Sequence, residues 1–303
     1  LHCHPAGILF DRVMQTKPAG YEIRVMKKCE LAQAIDWAAA EGWNPGLHDL
    51  QSFWAADSTG FLMGFLDGEP IASISAVKYG DSFAFVGFYI VKQEHRGSGY
   101  GLQLWHAAME SLGKRVLGLD GVVEQQENYK KSGFQLAYRN VRYQGKTGVE
   151  FPVPLIDMSA VMVPANEVDF TALHAYDRQF FPADRQAFLQ SWISADDSEF
   201  LCVSQDGEIS GFGGVRKCRD GYKIGPLYAE RSEIAESILD QLLRGLPAGE
   251  NFYLDVPEPN MFAVQLAESL GMQVVFETAR MYRGAMPMVD FFRLYGVTSF
   301  ELG

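Results

Sequence analysis

The chain reads as one pattern written twice. FLMGFLDGE begins at Phe61 and FLCVSQDGE at Phe200, 139 residues later, and in each an apolar run meets Asp-Gly-Glu and then a second apolar run. Asp-Gly between two such runs is a hairpin signature. ENYKKSGFQ at 127–135 and QLAESLGMQ at 265–273 lie 138 residues apart, each a short helical pattern closed by a glycine. Gly87 in FVGFYIV and Gly225 in KIGPLYAE keep the same spacing of 138. Landmarks that recur in order at offsets of 138 and 139 indicate a duplicated unit, and 303 residues leave room for two domains.

The first copy predicts a strand YEIRVM, helices CELAQAIDWAAAEG and LHDLQSFWAAD, the hairpin FLMGFL and IASISAVKY, and the strand FAFVGFYIV. The helix LQLWHAAMESLG, the strand VLGLDGV, the short helix ENYKKSG and a last strand FQLAYRNVRY follow. The order βααβββαβαβ returns from about 157. The fold class is therefore α+β: two tandem domains, each a twisted, mixed and mostly antiparallel sheet flanked by helices. The boundaries read as a tail over 1–20, a first domain over 21–145, a linker over 146–156 and a second domain over 157–303. Pro152 and Pro154 mark the linker. Met14 is a natural candidate start, and His2, Cys3 and His4 read as part of a disordered tail, since no ligand cluster accompanies them. No metal site is expected.

A net charge of -12 opposes binding to nucleic acid, which relies on Lys and Arg to neutralise phosphates. It weakly favours a cationic small molecule. No apolar run reaches the roughly eighteen residues of a membrane-spanning helix. The cysteines at 3, 29, 202 and 218 form no CxxC pair and read as free thiols in a reducing compartment, so a cytoplasmic location is expected.

Chemistry concentrates in EHRGSGYG, from Glu94 to Gly101, between the apolar strand and the helix that follows. The spacing is neither G-x-x-x-x-G-K-S/T nor G-x-G-x-x-G, and antiparallel strands precede it, so nucleotide-triphosphate and dinucleotide loops are poorly supported. An anion still suits the place. The first turn of a helix leaves N–H groups unpaired and carries partial positive charge, each exposed interaction contributing about 0.3–1 kcal/mol. Glycines let a bulky phosphate approach that backbone. The same glycines also suit a loop that only turns.

Arg96-Gly97-Ser98-Gly99-Tyr100-Gly101 fits the pattern Arg/Gln-x-x-Gly-x-Gly/Ala of the GCN5-related N-acetyltransferase (GNAT) superfamily, which the chain resembles. The element order is similar, and Tyr129-Lys130-Lys131-Ser132-Gly133-Phe134 resembles the family's Tyr-x-Lys-x-Gly-Phe region. The resemblance covers roughly 21–145 and 157–283, with the specific motifs in the first half alone. With EGWNPG early and ARMYRG late, the layout resembles two-domain bacterial-type members of largely undefined substrate.

The resemblance implies acetyl-coenzyme A as co-substrate, its pyrophosphate held by the backbone of Arg96, Gly97, Ser98, Gly99, Tyr100 and Gly101. The pantetheine arm would run beside Tyr89, Ile90 and Val91, in a splay between that strand and VLGLDGV. An N–H near Val91 would face the thioester oxygen, where a preplaced donor contributes about 3 kcal/mol. Tyr129 takes the place of the family's general acid. For the base, Glu41 lies in the loop region that lines the acceptor pocket, while Glu94 and Asp120 flank strand ends. Each of the three also reads as a solvated charge or a cap, and water can relay the proton. In the same way Trp43, within the turn Trp43-Asn44-Pro45-Gly46, reads either as pocket lining or as a buried ring.

The implied reaction is direct acetyl transfer to a small primary amine (an amino acid, polyamine or amino sugar) in a ternary complex, with no nucleic-acid or membrane partner and with a homodimer compatible. A peptide or protein amine, a non-catalytic acetyl-coenzyme A sensor and a purely structural tandem protein are the alternatives. At the offset of 138, Gly97, Gly99 and Gly101 fall opposite Ala235, Ser237 and Leu239, and Tyr129 falls opposite Ala267. Only the first copy is therefore expected to bind the coenzyme productively, while the second closes the acceptor pocket or holds the domains together. Its Tyr176, Phe180, Phe181 and Trp192 suit a buried helix face better than a pocket wall.

Overall fold

Both Asp-Gly pairs build the same tight hairpin turn. Asp67 and Gly68 have φ of 50° and 88°, Asp206 and Gly207 φ of 53° and 85°, the left-handed pair a two-residue β-turn requires. The computed structural model describes residues 20–148 and 160–303. The expected tail, with His2, Cys3 and His4, and most of the linker lie outside the described residues.

The first copy runs β1 (Tyr21–Val25), α1 (Lys28–Ala40), α2 (Asp49–Ala56), β2 (Phe61–Leu66), β3 (Glu69–Tyr79), β4 (Phe83–Val91), α3 (Tyr100–Leu112), β5 (Val116–Val122), α4 (Gln126–Lys131) and β6 (Gln135–Lys146). The second begins with the counterpart of β1, the short strand β7 (Val161–Pro164), then α5 (Phe170–Asp177), α6 (Gln186–Trp192), β8 (Ser198–Gln205), β9 (Glu208–Lys217) and β10 (Tyr222–Ala229). It continues through α7 (Ser232–Arg244), β11 (Asn251–Pro257), α8 (Met261–Ser269), β12 (Gln273–Arg283) and β13 (Leu294–Gly296). Gly133 and Gly271, with φ of 85° and 66°, follow α4 and α8 in the left-handed conformation that ends a helix. The fold is thus mixed α and β with a mostly antiparallel sheet; β4 with β5 and β10 with β11 are parallel.

The two copies are not beads on a string. Among the described residues all strands join one 13-stranded sheet, ordered β1-β2-β3-β4-β5-β12-β6-β11-β10-β9-β8-β7, with β13 on β10. The last strand of each copy has changed places: β12 pairs with β5, and β6 pairs with β11. Charge explains part of this arrangement. The side chain of Asp120 on β5 is buried and takes a bidentate ion pair from Arg280 on β12, at 2.8 and 2.6 Å. Asp255 on β11 takes the equivalent pair from Arg142 on β6, at 2.6 and 2.7 Å. Each copy supplies the arginine that the other's aspartate needs.

The duplication also explains its glycine landmarks. A β-carbon on Gly87 would lie 2.2 Å from the Glu301 carbonyl oxygen, and one on Gly225 would lie 2.7 Å from that of Val297. Residues 297–303 are buried and pass between the two copies, and both glycines leave room for their backbone. Tyr176, Phe180, Phe181 and Trp192 belong to the main hydrophobic core, as their spacing suggested. Among the described residues, Cys29, Cys202 and Cys218 are free thiols, and no helix is long and apolar enough to cross a membrane.

Candidate active site

The parallel pairing of β4 with β5 stops at Val86 and Leu119. Phe88 explains why β4 departs: its φ of 47° is unusual for a bulky residue, and the register against β3 shifts between Ser73 and Ser75. Ser73 Oγ donates to the Phe88 carbonyl at 2.9 Å and holds the bulge. Ile90 and Val91 therefore pair with β3 on one side only, Tyr89 stands in the irregularity before them, and a cavity of about 570 Å³ opens between the diverging strands. That volume falls in the range of small-molecule sites, roughly 300–1,000 Å³.

One end of the cavity is the glycine loop. Gly97 and Gly99 have φ of 78° and 83°, and Gly99 caps α3 with no side-chain acceptor for the first N–H groups of the helix. A β-carbon on Gly101 would come within 2.8 Å of the Tyr89 hydroxyl and of Val91 Cγ2, so glycine keeps this end open. Arg96 donates from Nε to the Val91 carbonyl at 2.7 Å and from Nη2 to Glu41 at 2.5 Å. Tyr89, Ile90, Val91, Arg96, Gly97, Gly99, Gly101, Glu41 and Tyr129 all line the cavity. Ser98 and Tyr100 do not; the Tyr100 ring turns away to Tyr21, 4.8 Å between centroids.

Tyr129 is placed by shape. Its ring tilts against Trp105 at 5.5 Å, and a β-carbon on Gly121 would strike it at 2.3 Å. Burial, with a smaller contribution from the neighbouring Tyr89, pushes the Tyr129 phenol above its ordinary pKa, so it stays protonated at neutral pH. Glu94 is exposed and outside the cavity. Asp120 lines the cavity but is no solvated charge: Arg280 and the Asn140 amide, the latter at 2.8 Å, occupy it. Trp43 lines the cavity while its carbonyl accepts from Arg142 and Lys223 at 3.0 and 3.1 Å.

The sequence of the acetyltransferase (GNAT) family matches at residues 29–134, and that of an acetyltransferase (GNAT) domain matches again at 173–296. Holothin acyltransferase from Pseudoalteromonas sp. (strain SANK 73390) is 34% identical over 268 residues, which cover 88% of this chain and 90% of that protein. The chain belongs to the GNAT family of acyltransferases. Among solved structures, a provisionally assigned acetyltransferase from Pyrococcus horikoshii superposes over 100% of both chains with a TM-score of 0.77 at 22% identity. A tandem GNAT protein of the clavulanic acid biosynthesis pathway superposes with a TM-score of 0.61 at 14% identity, over 88% of this chain and 99% of its own. This GNAT protein is thus a tandem acyltransferase.

Its second copy differs from the first at the place that matters. The loop from β4 to α3 spans residues 92–99, whereas β10 reaches α7 through Glu230 and Arg231 alone. A fixed offset of 138 therefore misaligns Gly97, Gly99 and Gly101: the loop is deleted, and Ala235, Ser237 and Leu239 lie inside α7. The edge of β10 is also taken, since β13 pairs with it at Leu227 and Tyr228. Ala267, fully buried on α8, stands where the first copy has Tyr129.

Sequence reading missed the other end of the cavity. Arg142, Phe276, Thr278, Phe300 and Glu301 line it, and all but Arg142 come from the second copy. Arg142 and Arg280 do recur at the repeat spacing of 138, a signal available in the sequence. That each arginine serves the opposite copy became visible only in the sheet order.

Proposed function

We propose that this acyltransferase is an N-acetyltransferase that uses acetyl-coenzyme A at its first copy and transfers the acetyl group to a small-molecule amine. The free edge of β4 beside a glycine-opened helix start carries the reading. The fit rests on observed features: uncapped N–H groups at α3, an open cleft and an unpaired strand edge. Arg96, Gly97, Gly99 and Gly101 would hold the pyrophosphate, with the Ser98 and Tyr100 backbone completing the turn. The edge of Tyr89, Ile90 and Val91 would pair with the pantetheine amides as with an added strand.

In the transfer the amine nitrogen forms a bond to the acetyl carbon as the carbon–sulfur bond breaks. Tyr129 donates its proton to the leaving sulfur, and the amine gives up its own. Glu41 takes the base role: Arg96 holds its carboxylate in the free protein, and a pyrophosphate at the loop competes for that guanidinium. Holothin, named for the relative above, belongs in the panel of acceptors alongside amino acids, polyamines and amino sugars.

Titration calorimetry tests the reading. One acetyl-coenzyme A per chain is expected, and thiol release should follow when an accepted amine is added. Two equivalent sites would show that the second copy is competent; binding without turnover on any amine would mark a sensor. Gly101→Val should weaken acetyl-coenzyme A binding roughly 5–150-fold in the same titration, because overpacking a filled site costs about 1–3 kcal/mol.

A further inference from the structure

The three carboxylates that line the cavity differ in what they already hold. Asp120 is taken by Arg280 and Asn140, and Glu41 by Arg96. Glu301 is 4% exposed, yet its Oε2 has no hydrogen-bond partner. A buried polar atom without a partner is costly, and one on a residue that lines a cavity points to a ligand donor. Three cations lie near it: Arg142 is paired with Asp255 and Arg216 with Asp49, while Lys223 donates only to the neutral Trp43 carbonyl, so the Glu301 charge balances that ammonium without a direct bond.

Aromatic rings line the cavity together with Glu301. Phe276 and Phe300 stand 6.3 Å apart, and Arg142 covers both, 5.7 and 4.8 Å from their centroids. Trp43 lines the same end. Segment 297–303 is pinned there by the Tyr79 hydroxyl on the Leu302 carbonyl at 3.0 Å and by Arg185 on that of Gly303 at 3.1 Å.

The geometry points to Glu301 as the acceptor-binding residue: its carboxylate receives an N–H of the acceptor amine, and the rings around it take a flat, apolar body carrying that single amine. This deepens the acetyltransferase reading and rests on it. A polyamine would bring several cations to an end with one unpartnered carboxylate. An amino sugar would bring hydroxyls to ring faces that cannot bond them.

The test uses the whole chain saturated with coenzyme A and titrated with 2-phenylethylamine, spermidine or glucosamine. The first is expected to bind most tightly, and E301Q to weaken it roughly 10–100-fold while the affinity for acetyl-coenzyme A stays unchanged. In turnover the loss should appear in KM more than in kcat, and E301D, which keeps the charge, should recover part of it. Equal affinity of E301Q and wild type for 2-phenylethylamine would overturn the assignment, and tighter binding of spermidine or glucosamine would overturn the substrate class. Acetyl-coenzyme A affinity reports whether each variant is folded. If E301Q fails that check, E301D and F276L carry the test, each expected to weaken 2-phenylethylamine selectively and overturning the proposal if neither does. Failure of wild type to bind acetyl-coenzyme A would sink the acetyltransferase reading itself, a different result from a misplaced amine.

Discussion

Tyr129→Phe is expected to lower turnover about 10²–10⁴-fold, the range lost with a positioned general acid. Acetyl-coenzyme A binding should barely change, because the substituted ring keeps its place against Trp105 and over Gly121. A loss shared by kcat and kcat/KM would place the missing interaction in the transition state, and a thiol-release assay beside calorimetry measures both. The pH dependence follows from the direction of the phenol's shift. Burial raises its pKa above the ordinary value of about 10, so ionisation of Tyr129 should cause no loss of rate as the pH rises to about 10. A full-speed Phe variant would remove Tyr129 from the chemistry and leave it as packing for Trp105.

Local signals carried far. Asp67-Gly68 and Asp206-Gly207 specify their turns by φ alone, and Gly133 and Gly271 end their helices by the same property. The turn of the glycine loop announced itself in the same way, through the positive φ of Gly97 and Gly99. Features that depend on two distant stretches did not. Nothing near Glu301 marks it as cavity lining, since its place is set by a backbone that needs Gly87 and Gly225 to pass. The deleted loop before α7 was hidden as well: a fixed offset cannot report a gap inside itself. Phe88 gave no warning either, because its backbone strain is imposed by the bulge against Ser73.

Arg280→Ala should cost about 3–5 kcal/mol of stability, as expected when one partner of a buried ion pair is removed. Asp120 would then be left buried with only the Asn140 amide and the Thr278 hydroxyl, neither of them charged. A shift of the urea midpoint at unchanged slope measures this, and Arg142→Ala should behave alike by stranding Asp255. Restoring an apolar contact is the sharper experiment. Asp120→Leu combined with Arg280→Met should recover most of the loss, because well-packed apolar residues often match a buried pair. Acid should act through the same locks. Burial opposes the charge on Asp255, yet Arg142 holds its pKa below the ordinary carboxylate value. Its contribution is therefore present above the unfolded value of about 3.9 and lost as the pH falls below it. If Arg280→Ala left the urea midpoint in place, the exchanged strands would be held by backbone pairing and apolar packing alone. If the loss appears, the second copy has a physical reason to persist without the glycine loop: β12 completes the sheet beside β5, and Phe276 and Thr278 come to the cavity on that strand.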